Sequence, residues 1–251
     1  MAGEERQLGV DRTARRGAVN GPPVPFARLG AAHTGALLVV LVLALTLIGV
    51  VRRWPRLALP VRVALAGAIL ALVTFEMTLG VRQGWLGWRG FLPLELCDIA
   101  MVLAVVTLLF PRRATAELVY FWAGAGSLVA MLTPELPWDF PRFEFVVFFG
   151  LHGLVLVSAL LFVFALRLRP RPGAPGRVLA ITLAWAAFVA LVDWRLDANF
   201  MYLRAKPSVP TPLDWMGPWP VYLLVAAVVA FLAFHLLALP FRREWRSQRP
   251  R

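Results

Sequence analysis

The sequence predicts an all-α fold, a polytopic bundle of about seven transmembrane helices. Hydrophobic residues make up 60% of the 251 residues, and charged residues only 16%. The apolar residues form runs of about 20 residues with few charges, which is the length that an α-helix needs to cross a bilayer. The charges lie mainly between these runs, whereas a soluble domain spreads them over its whole surface. The protein is therefore expected to be a multi-pass protein of the cell membrane.

Seven runs meet this length criterion. Prolines at or near several of their starts agree with the assignment, because the first turn of a helix needs no N–H group from them. The sixth run is the shortest, so six spans with one re-entrant segment is the competing count. The predicted spans cover residues 31–51, 61–80, 91–110, 114–133, 143–166, 178–194 and 216–241.

Basic residues give the spans a predicted direction and define the tails. The first, third and fifth loops and the basic C-terminal tail (residues 242–251) hold most of the arginines. The positive-inside rule places these segments in the cytoplasm. With seven spans in the domain at residues 29–241, the N-terminus is then outside. The arginine-rich N-terminal tail (residues 1–28), predicted to be disordered, opposes this orientation because its arginines would have to cross the membrane.

Several other classes of function find little support. The net charge of +12 comes without a basic face interleaved with aromatic residues, so we expect no nucleic-acid partner. Arginines at the ends of apolar runs suit lipid headgroups, and we expect membrane lipids as partners. The single cysteine, Cys97, excludes an intrachain disulfide. Nucleotide-binding motifs are absent, no cofactor is expected, and the oligomeric state is left open.

Polar residues gather toward the face opposite the basic loops. The fourth and sixth loops are rich in proline, aromatic, acidic and amide residues, and irregular backbone near membrane depth has to be buried in protein or line a cavity. The acids Glu95, Asp98, Glu144 and Asp193 lie toward the same face. Intramembrane acids usually point into the bundle. The sequence thus predicts a polar cavity that opens on the non-cytoplasmic side.

Two residues near this cavity, Cys97 and His152, could carry covalent chemistry. At 1.5 Å per residue, Cys97 lies roughly 6–9 Å and His152 roughly 12–15 Å along spans that run in the same direction. Their side chains can meet if the two helices are neighbours, and a thiol beside an imidazole is a minimal nucleophile–base pair. The alternative is structural: a buried cysteine that acts as a small hydrophobe and a histidine that packs between helices.

The acids admit two further interpretations. Glu95 and Asp98 share one helix face and could pair with other elements, for example with Arg204 or Arg142. Together with Glu144 and His152 they could instead form a site for a hard cation or zinc. We expect no metal site, because the sequence has neither an HExxH motif nor paired histidines.

Eight strings in the sequence carry a resemblance to a known family. They are residues 25–28 (PFAR, followed by His33), 92–98 (LPLELCD), 120–124 (YFWAG), 132–136 (LTPEL), 140–145 (FPRFEF), 152–153 (HG), 199–207 (NFMYLRAKP) and 213–220 (LDWMGPWP). The chain resembles the YwaF-like bacterial integral membrane proteins, which are similar to the eukaryotic transmembrane protein 164 family. That family is described as a cysteine-centred acyltransferase that moves polyunsaturated chains from phosphatidylcholine onto lyso-ether phospholipids.

The resemblance implies that Cys97 is the nucleophile of a phospholipid acyltransferase or lipid-remodelling enzyme and that His152 is its base. It does not imply the same lipids. From position alone, Asn199, Tyr202 and Arg204 could hold an oxyanion or a headgroup phosphate. A hydrolase would use the same two catalytic residues as a transferase. A transporter that relays substrate or protons through its acids, and a non-enzymatic assembly factor that docks through the small residues of the fourth span, are the other hypotheses.

Overall fold

The computed structural model of the protein describes residues 24–207 and 211–247. Most of the predicted N-terminal tail and the end of the C-terminal tail lie outside these residues. Every named element in the described part is helical, which confirms the all-α prediction. The main helices are α1 (Ala31–Arg53), α2 (Ala58–Gln83), α3 (Leu96–Leu109), α4 (Arg113–Trp122), α5 (Phe143–Leu160), α6 (Ala174–Leu196), α7 (Val221–Leu237) and the short α8 (Arg242–Ser247).

The described residues contain seven helical segments that are long and apolar enough to span a membrane. The sixth, α6, is a full helix of 23 residues. The competing count of six spans with a re-entrant segment is therefore wrong. The fourth and fifth spans each include a π-helical turn: α4 continues through Ala123–Ser127 into Leu128–Leu132, and α5 continues through Leu161–Ala165.

Two predicted spans begin too early, and proline is involved at both. The third span was predicted from residue 91, but α3 begins at Leu96. Proline disfavours helical geometry in the residue before it, and Leu92, before Pro93, is extended with φ −81° and ψ 115°. The seventh was predicted from residue 216, but α7 begins at Val221. Gly217, which precedes Pro218, has φ 92°, a value that ends any preceding helix.

The core of the bundle surrounds α5. Of the most apolar stretch in the α5 span, 61% is buried inside the protein, against 11% for α1. Helices α1, α2, α3 and α4 all contact α5, while α6 packs on α4 and α7. Gly153 permits the close contact with α1, because a Cβ there would lie 2.6 Å from Val40 Cγ2. The outer helices α1, α2, α6 and α7 are mostly unburied, so their apolar side chains can contact lipid.

The small residues of the fourth span pack mostly within the chain. A Cβ at Gly124 would lie 2.8 Å from the side chain of Leu237 in α7. Ala123 and Ser127, in the same π-helical turn, are buried. A Cβ at Gly126 would have no described atom within 4 Å, so part of this face stays open as the docking surface that the assembly-factor hypothesis needs.

A buried carboxylate organises the end of the bundle that carries the third and fifth loops. Glu117 on α4 is 2% exposed and lies 3.1 Å from Arg171 Nη2 and 3.1 Å from Arg177 Nη2. The backbone N–H of Arg171 also donates to its Oε2 at 2.8 Å. The hydrogen bonds with Glu117 raise the pKa of Arg171. The cluster ties α4 to the fifth loop and to α6.

The opposite end carries residues 84–95, 133–142, 197–207 and 211–220 and is called here the loop-rich end. At this end the first described residues pair with the fourth loop: Phe26 N donates to Pro137 O at 3.3 Å and Asp139 N donates to Val24 O at 2.9 Å. Leu136, in the same loop, lines the cavity described below. The N-terminal segment thus supports one wall of that cavity.

His33 at the head of α1 is a structural brace. It is fully buried, and Leu29 N–H donates to its Nδ1 at 2.9 Å. Since Nδ1 accepts, Nε2 carries the proton and donates to Met131 O at 2.8 Å. Both ring nitrogens are therefore occupied, and the histidine fixes the N-terminal segment to the end of the fourth span.

Candidate functional site

A cavity of about 470 Å³ lies between α2, α3 and α5 at the loop-rich end. The predicted pair Cys97 and His152 both line it, although they come from different helices and lie far apart in the chain. Two of the predicted supporting residues, Asp98 and Glu144, line it as well. The remaining lining residues are Glu76, Gln83, Trp85, Met101, Leu136, Phe143, Val147, Phe148 and Leu151.

Cys97 stands in the first turn of α3, one residue after the helix begins at Leu96. Its side chain is half-buried and it forms no disulfide. The start of α3 is fixed by Asp98, whose Oδ2 accepts the N–H of the preceding Glu95 at 3.3 Å. The N–H groups of the first helical turn have no acceptor within the helix. The N–H groups of Asp98 and Ile99 donate to Glu95 O at 3.1 and 3.2 Å. The donors beside the thiol that have no acceptor among the described residues are therefore those of Leu96 and Cys97.

His152 lies in the middle of α5, and its hydrogen bond defines its tautomer. Nδ1 is 2.9 Å from the carbonyl oxygen of Phe148, one turn earlier in the helix. A carbonyl can only accept, so the neutral imidazole carries its proton on Nδ1 and keeps a lone pair on Nε2. The ring also packs on Phe148, with 4.4 Å between centroids. The hydrogen bond and the ring contact thus fix the imidazole, and its Nε2 keeps a lone pair that can accept a proton.

Gln83 and Trp85 are lining residues that the sequence analysis did not single out. The indole N–H of Trp85 donates to Gln83 Oε1 at 3.2 Å. An indole nitrogen can only donate, so this bond orients the amide and leaves its NH₂ group as a donor. Trp85 also stacks on Phe143, with 6.4 Å between ring centroids. A glutamine at the end of a span is typical of a membrane interface, so nothing in the sequence marked it.

The acidic residues take different positions. Asp98, Glu144 and Glu76 line the cavity, and the Oε2 atom of Glu144 is buried with no hydrogen-bond partner among the described residues. Glu95 does not line it, because its carboxylate accepts the N–H of Met201 at 3.0 Å and so ties the sixth loop to the start of α3. Asp193 is fully buried and accepts the N–H of Phe200 at 2.9 Å.

The contacts of the acids differ from both of these arrangements. Glu95 and Asp98 were considered as partners of Arg204 or Arg142, but each accepts a backbone N–H group instead. The alternative metal site also needed Glu95 in one cluster with Asp98, Glu144 and His152. Within residues 24–207 and 211–247, no three His, Cys, Asp or Glu side chains are grouped so as to hold a metal ion.

Asn199 and Arg204 lie on a second pocket of about 610 Å³, together with Arg89. Asn199 Oδ1 accepts the N–H groups of Arg204 at 2.9 Å and Ala205 at 3.1 Å, which shapes the sixth loop. Arg204 Nη1 pairs with Asp197 Oδ1 at 2.7 Å. The hydrogen bond and the charge of Arg204 lower the pKa of Asp197. Asn199 and Arg204 therefore do not line the cavity that contains Cys97 and His152, which is called here the thiol cavity.

Tyr202 lines neither pocket. Its carbonyl oxygen accepts a hydrogen bond from the hydroxyl of Tyr222, which joins the sixth loop to α7. Its backbone has a φ of 53°, so the chain reverses sharply here. Of the three residues predicted to hold an oxyanion or a phosphate, Asn199 and Arg204 remain candidates for an anion at the loop-rich surface, and none of the three lies beside Cys97.

Known proteins similar to this chain bear on the predicted family resemblance. The family model described as TMEM164 family matches residues 28–238, a range that includes Cys97 and His152. The chain belongs to the TMEM164 family. An uncharacterized protein of Treponema pallidum (strain Nichols) is 31% identical over 222 residues, which cover 86% of this chain and 90% of that protein. No solved structure matches the chain.

This membership confirms the link to the transmembrane protein 164 family that residues 92–98 and the later strings predicted. The narrower YwaF-like assignment stays a prediction. The chain is thus a TMEM164 family membrane protein with seven candidate spans among its described residues.

Proposed function

We propose that this TMEM164 family protein is a cysteine-dependent phospholipid acyltransferase, or lipid-remodelling enzyme, that works through a thioester on Cys97. The observation that carries the proposal is that Cys97 and His152, from different helices, line one cavity, with the imidazole oriented so that Nε2 keeps its lone pair. A nucleophile and a base that share a cavity are the minimal requirement for acyl transfer through an enzyme ester.

In the first step His152 Nε2 takes the thiol proton as the sulfur attacks the ester carbonyl of a membrane phospholipid. The C–O bond to the glycerol oxygen breaks, and the imidazolium returns its proton to that oxygen. The products are a lysophospholipid and an acyl thioester on Cys97. Proton transfer by one well-placed base is worth about 10²–10⁴ in rate.

In the second step the same base activates the acceptor. His152 Nε2 takes a proton from the hydroxyl group of a lysophospholipid, whose oxygen attacks the thioester carbonyl. The C–S bond breaks and the proton passes to the Cys97 sulfur, which regenerates the thiol. Water in place of the lysolipid hydroxyl would give hydrolysis with the same residues, so the product mixture distinguishes a transferase from a lipase.

Both steps develop negative charge on the carbonyl oxygen of the substrate, and donors are available beside the thiol. We assign this role to the NH₂ group of Gln83, which lines the same cavity, and to the backbone N–H groups of Leu96 and Cys97, in place of Asn199, Tyr202 and Arg204. Donors that are oriented before the reaction lower its barrier, because they need no reorganisation. The hydrogen bond from Trp85 to Gln83 supplies that orientation.

For the topology we propose that the loop-rich end faces away from the cytoplasm, as the distribution of arginines predicts. We further propose one membrane domain at residues 29–241 between two basic tails. With this orientation the cavity opens toward the outer leaflet of the cell membrane. Accessibility of residues in the fourth loop to a membrane-impermeant reagent on intact cells tests this proposal; reaction only after lysis would reverse it.

The experiment that tests the reaction is the capture of the intermediate. Purified wild-type protein and Cys97→Ala are incubated with labelled phospholipid, and the acyl adduct is sought by mass spectrometry before and after hydroxylamine treatment. We expect an adduct on Cys97 that hydroxylamine removes, and its transfer to added lysolipid. Equal lipid turnover by wild type and Cys97→Ala would reject the nucleophile assignment. Counterflow in proteoliposomes that survives Cys97→Ala but fails in Asp98→Asn would favour the transporter hypothesis instead.

A further inference from the structure

An apolar groove adjoins the thiol cavity and takes no part in the proposed acyl-transfer steps. It has a volume of about 360 Å³ and lies between α2 and α3. Glu76, Asp98 and Met101 line both this groove and the thiol cavity. We propose that the groove holds the acyl chain of the lipid substrate while its ester lies at Cys97. This inference rests on the proposed function.

The direction of the groove fits a chain that descends into the bilayer. Along α3 its lining continues from Asp98 through Val102 to Val106, eight residues further into the span, which is roughly 12 Å. Along α2, which runs the opposite way, the lining continues from Glu76 to Val73 and on toward the middle of that helix. The groove therefore begins at residues 90–93 of the loop-rich end, passes the level of the thiol, and runs toward the bilayer centre.

The lining of the groove has one polar region, where Glu76 and Asp98 border the thiol cavity. The rest of the lining is apolar: residues 90–93 lie at the loop-rich end, and valine, leucine, isoleucine and methionine side chains continue along α2 and α3. An ester is polar and its hydrocarbon chain is apolar, so the polar region matches the ester and the apolar stretch along α2 and α3 matches the chain. Val102 and Val106 are 45% and 41% exposed, which leaves the groove open to lipid from the side.

A separate groove, which does not adjoin the thiol cavity, serves as a comparison for the proposed chain site. The groove between α1 and α5 has a volume of about 510 Å³, is almost entirely apolar, and is lined by Val146 among others. It shares no lining residue with the thiol cavity. A lipid chain lying there would have no path to Cys97. The connection through Glu76, Asp98 and Met101 therefore distinguishes the α2–α3 groove from a general site for annular lipid.

Two substitutions of matched kind test the proposal. Val102→Trp fills the α2–α3 groove, and Val146→Trp fills the α1–α5 groove; the two valines are 45% and 44% exposed, so neither change overpacks the core. The first assay uses phosphatidylethanolamine with a photoreactive diazirine near the end of one chain. After illumination of purified protein, we expect labelled peptides from α2 and α3, several-fold fewer in Val102→Trp, and wild-type labelling of these peptides in Val146→Trp.

The second assay measures thioester formation on Cys97 with palmitoyl and octanoyl donors. Val102→Trp is expected to reduce the palmitoyl-to-octanoyl ratio about tenfold, because the indole shortens the groove, while Val146→Trp keeps the wild-type ratio. A wild-type protein that forms no thioester with any donor would refute the proposed function, while the labelling assay would still test the groove. Even labelling of all spans, or equal loss in both variants, would overturn the inference.

Discussion

His152 and His235 make the same hydrogen bond and ring contact within their helices, which allows a controlled test of the proposed base. His152 Nδ1 bonds to the carbonyl of Phe148 at 2.9 Å, and His235 Nδ1 bonds to that of Phe231 at 2.8 Å. Each ring also packs on the phenylalanine one turn earlier, at 4.4 and 4.1 Å between centroids. Only His152 lines the thiol cavity. We therefore compare His152→Ala with His235→Ala.

The expected loss of activity follows from the role of the imidazole. Removal of a general base costs about 10²–10⁴ in rate. At about 1.4 kcal/mol per tenfold, this is about 3–5 kcal/mol of transition-state free energy. The proton on Nδ1 is already hydrogen-bonded to Phe148 O, so Nε2 is the nitrogen that accepts the thiol proton. Glutamine and asparagine have no basic nitrogen, so neither is expected to restore the rate.

The expected loss of stability is small and similar for both variants. The bond from Nδ1 goes to a carbonyl that already accepts the helical N–H, so its removal leaves no unpaired group and costs about 0.5–1.5 kcal/mol. The contact between the rings adds about 0.5–1.5 kcal/mol in each case. Since these terms match, the free energies of unfolding of His152→Ala and His235→Ala are expected to agree within about 1 kcal/mol.

The assay is the rate of thioester formation on Cys97 in detergent or nanodiscs, with thermal unfolding measured on the same samples. His152→Ala should form thioester at least about a hundredfold more slowly, and His235→Ala should match wild type. A His152→Ala protein within threefold of the wild-type rate would show that another group takes the thiol proton. An equal loss in His235→Ala would show that the effect arises from packing rather than from the cavity.

Three further predictions follow from the contacts above. Gln83→Ala should lower kcat about 10²–10³-fold with little change in KM, because an oxyanion donor acts mainly in the transition state; an unchanged kcat in steady-state turnover would reject the role. Glu117→Gln should lower the free energy of unfolding by about 1–3 kcal/mol through lost charged hydrogen bonds, measured by denaturant titration, without slowing acylation of Cys97. His33→Ala should cost about 2–5 kcal/mol in the same titration, because it removes two hydrogen bonds of a fully buried side chain, to the Leu29 N–H and to the Met131 carbonyl. A cost below that of His235→Ala would contradict the structural role of His33.

The spans were predictable from the sequence because one physical requirement, apolar length, determines each of them. The same requirement did not locate the start of α3, since residues 91–95 are apolar enough to continue a span. Pro93 and the cap formed by Asp98 decide that boundary locally, and both involve backbone geometry that hydropathy does not measure. The shift places Cys97 in the first helical turn, several residues nearer the helix start than predicted.

The candidate site was predictable only in part. Cys97 and His152 could be paired because both are rare residues whose depth follows from counting along two spans. Gln83 could not be found in that way, since its role depends on a hydrogen bond from Trp85 and on the fold of the second loop. Arg204 was placed near the thiol because its loop emerges on the same face, but Asp197 holds it at the other pocket.

The presence of a single cysteine has a practical consequence. Cys97 is the only thiol in the chain, so the native protein already has the one-cysteine background that labelling studies normally require mutagenesis to obtain. A maleimide spin label or fluorophore would attach at one place, inside the cavity, without any substitution. Its mobility and quenching would report directly on water, lipid or substrate that enters. Competition between the label and a lipid would measure occupancy of the cavity before any reaction takes place.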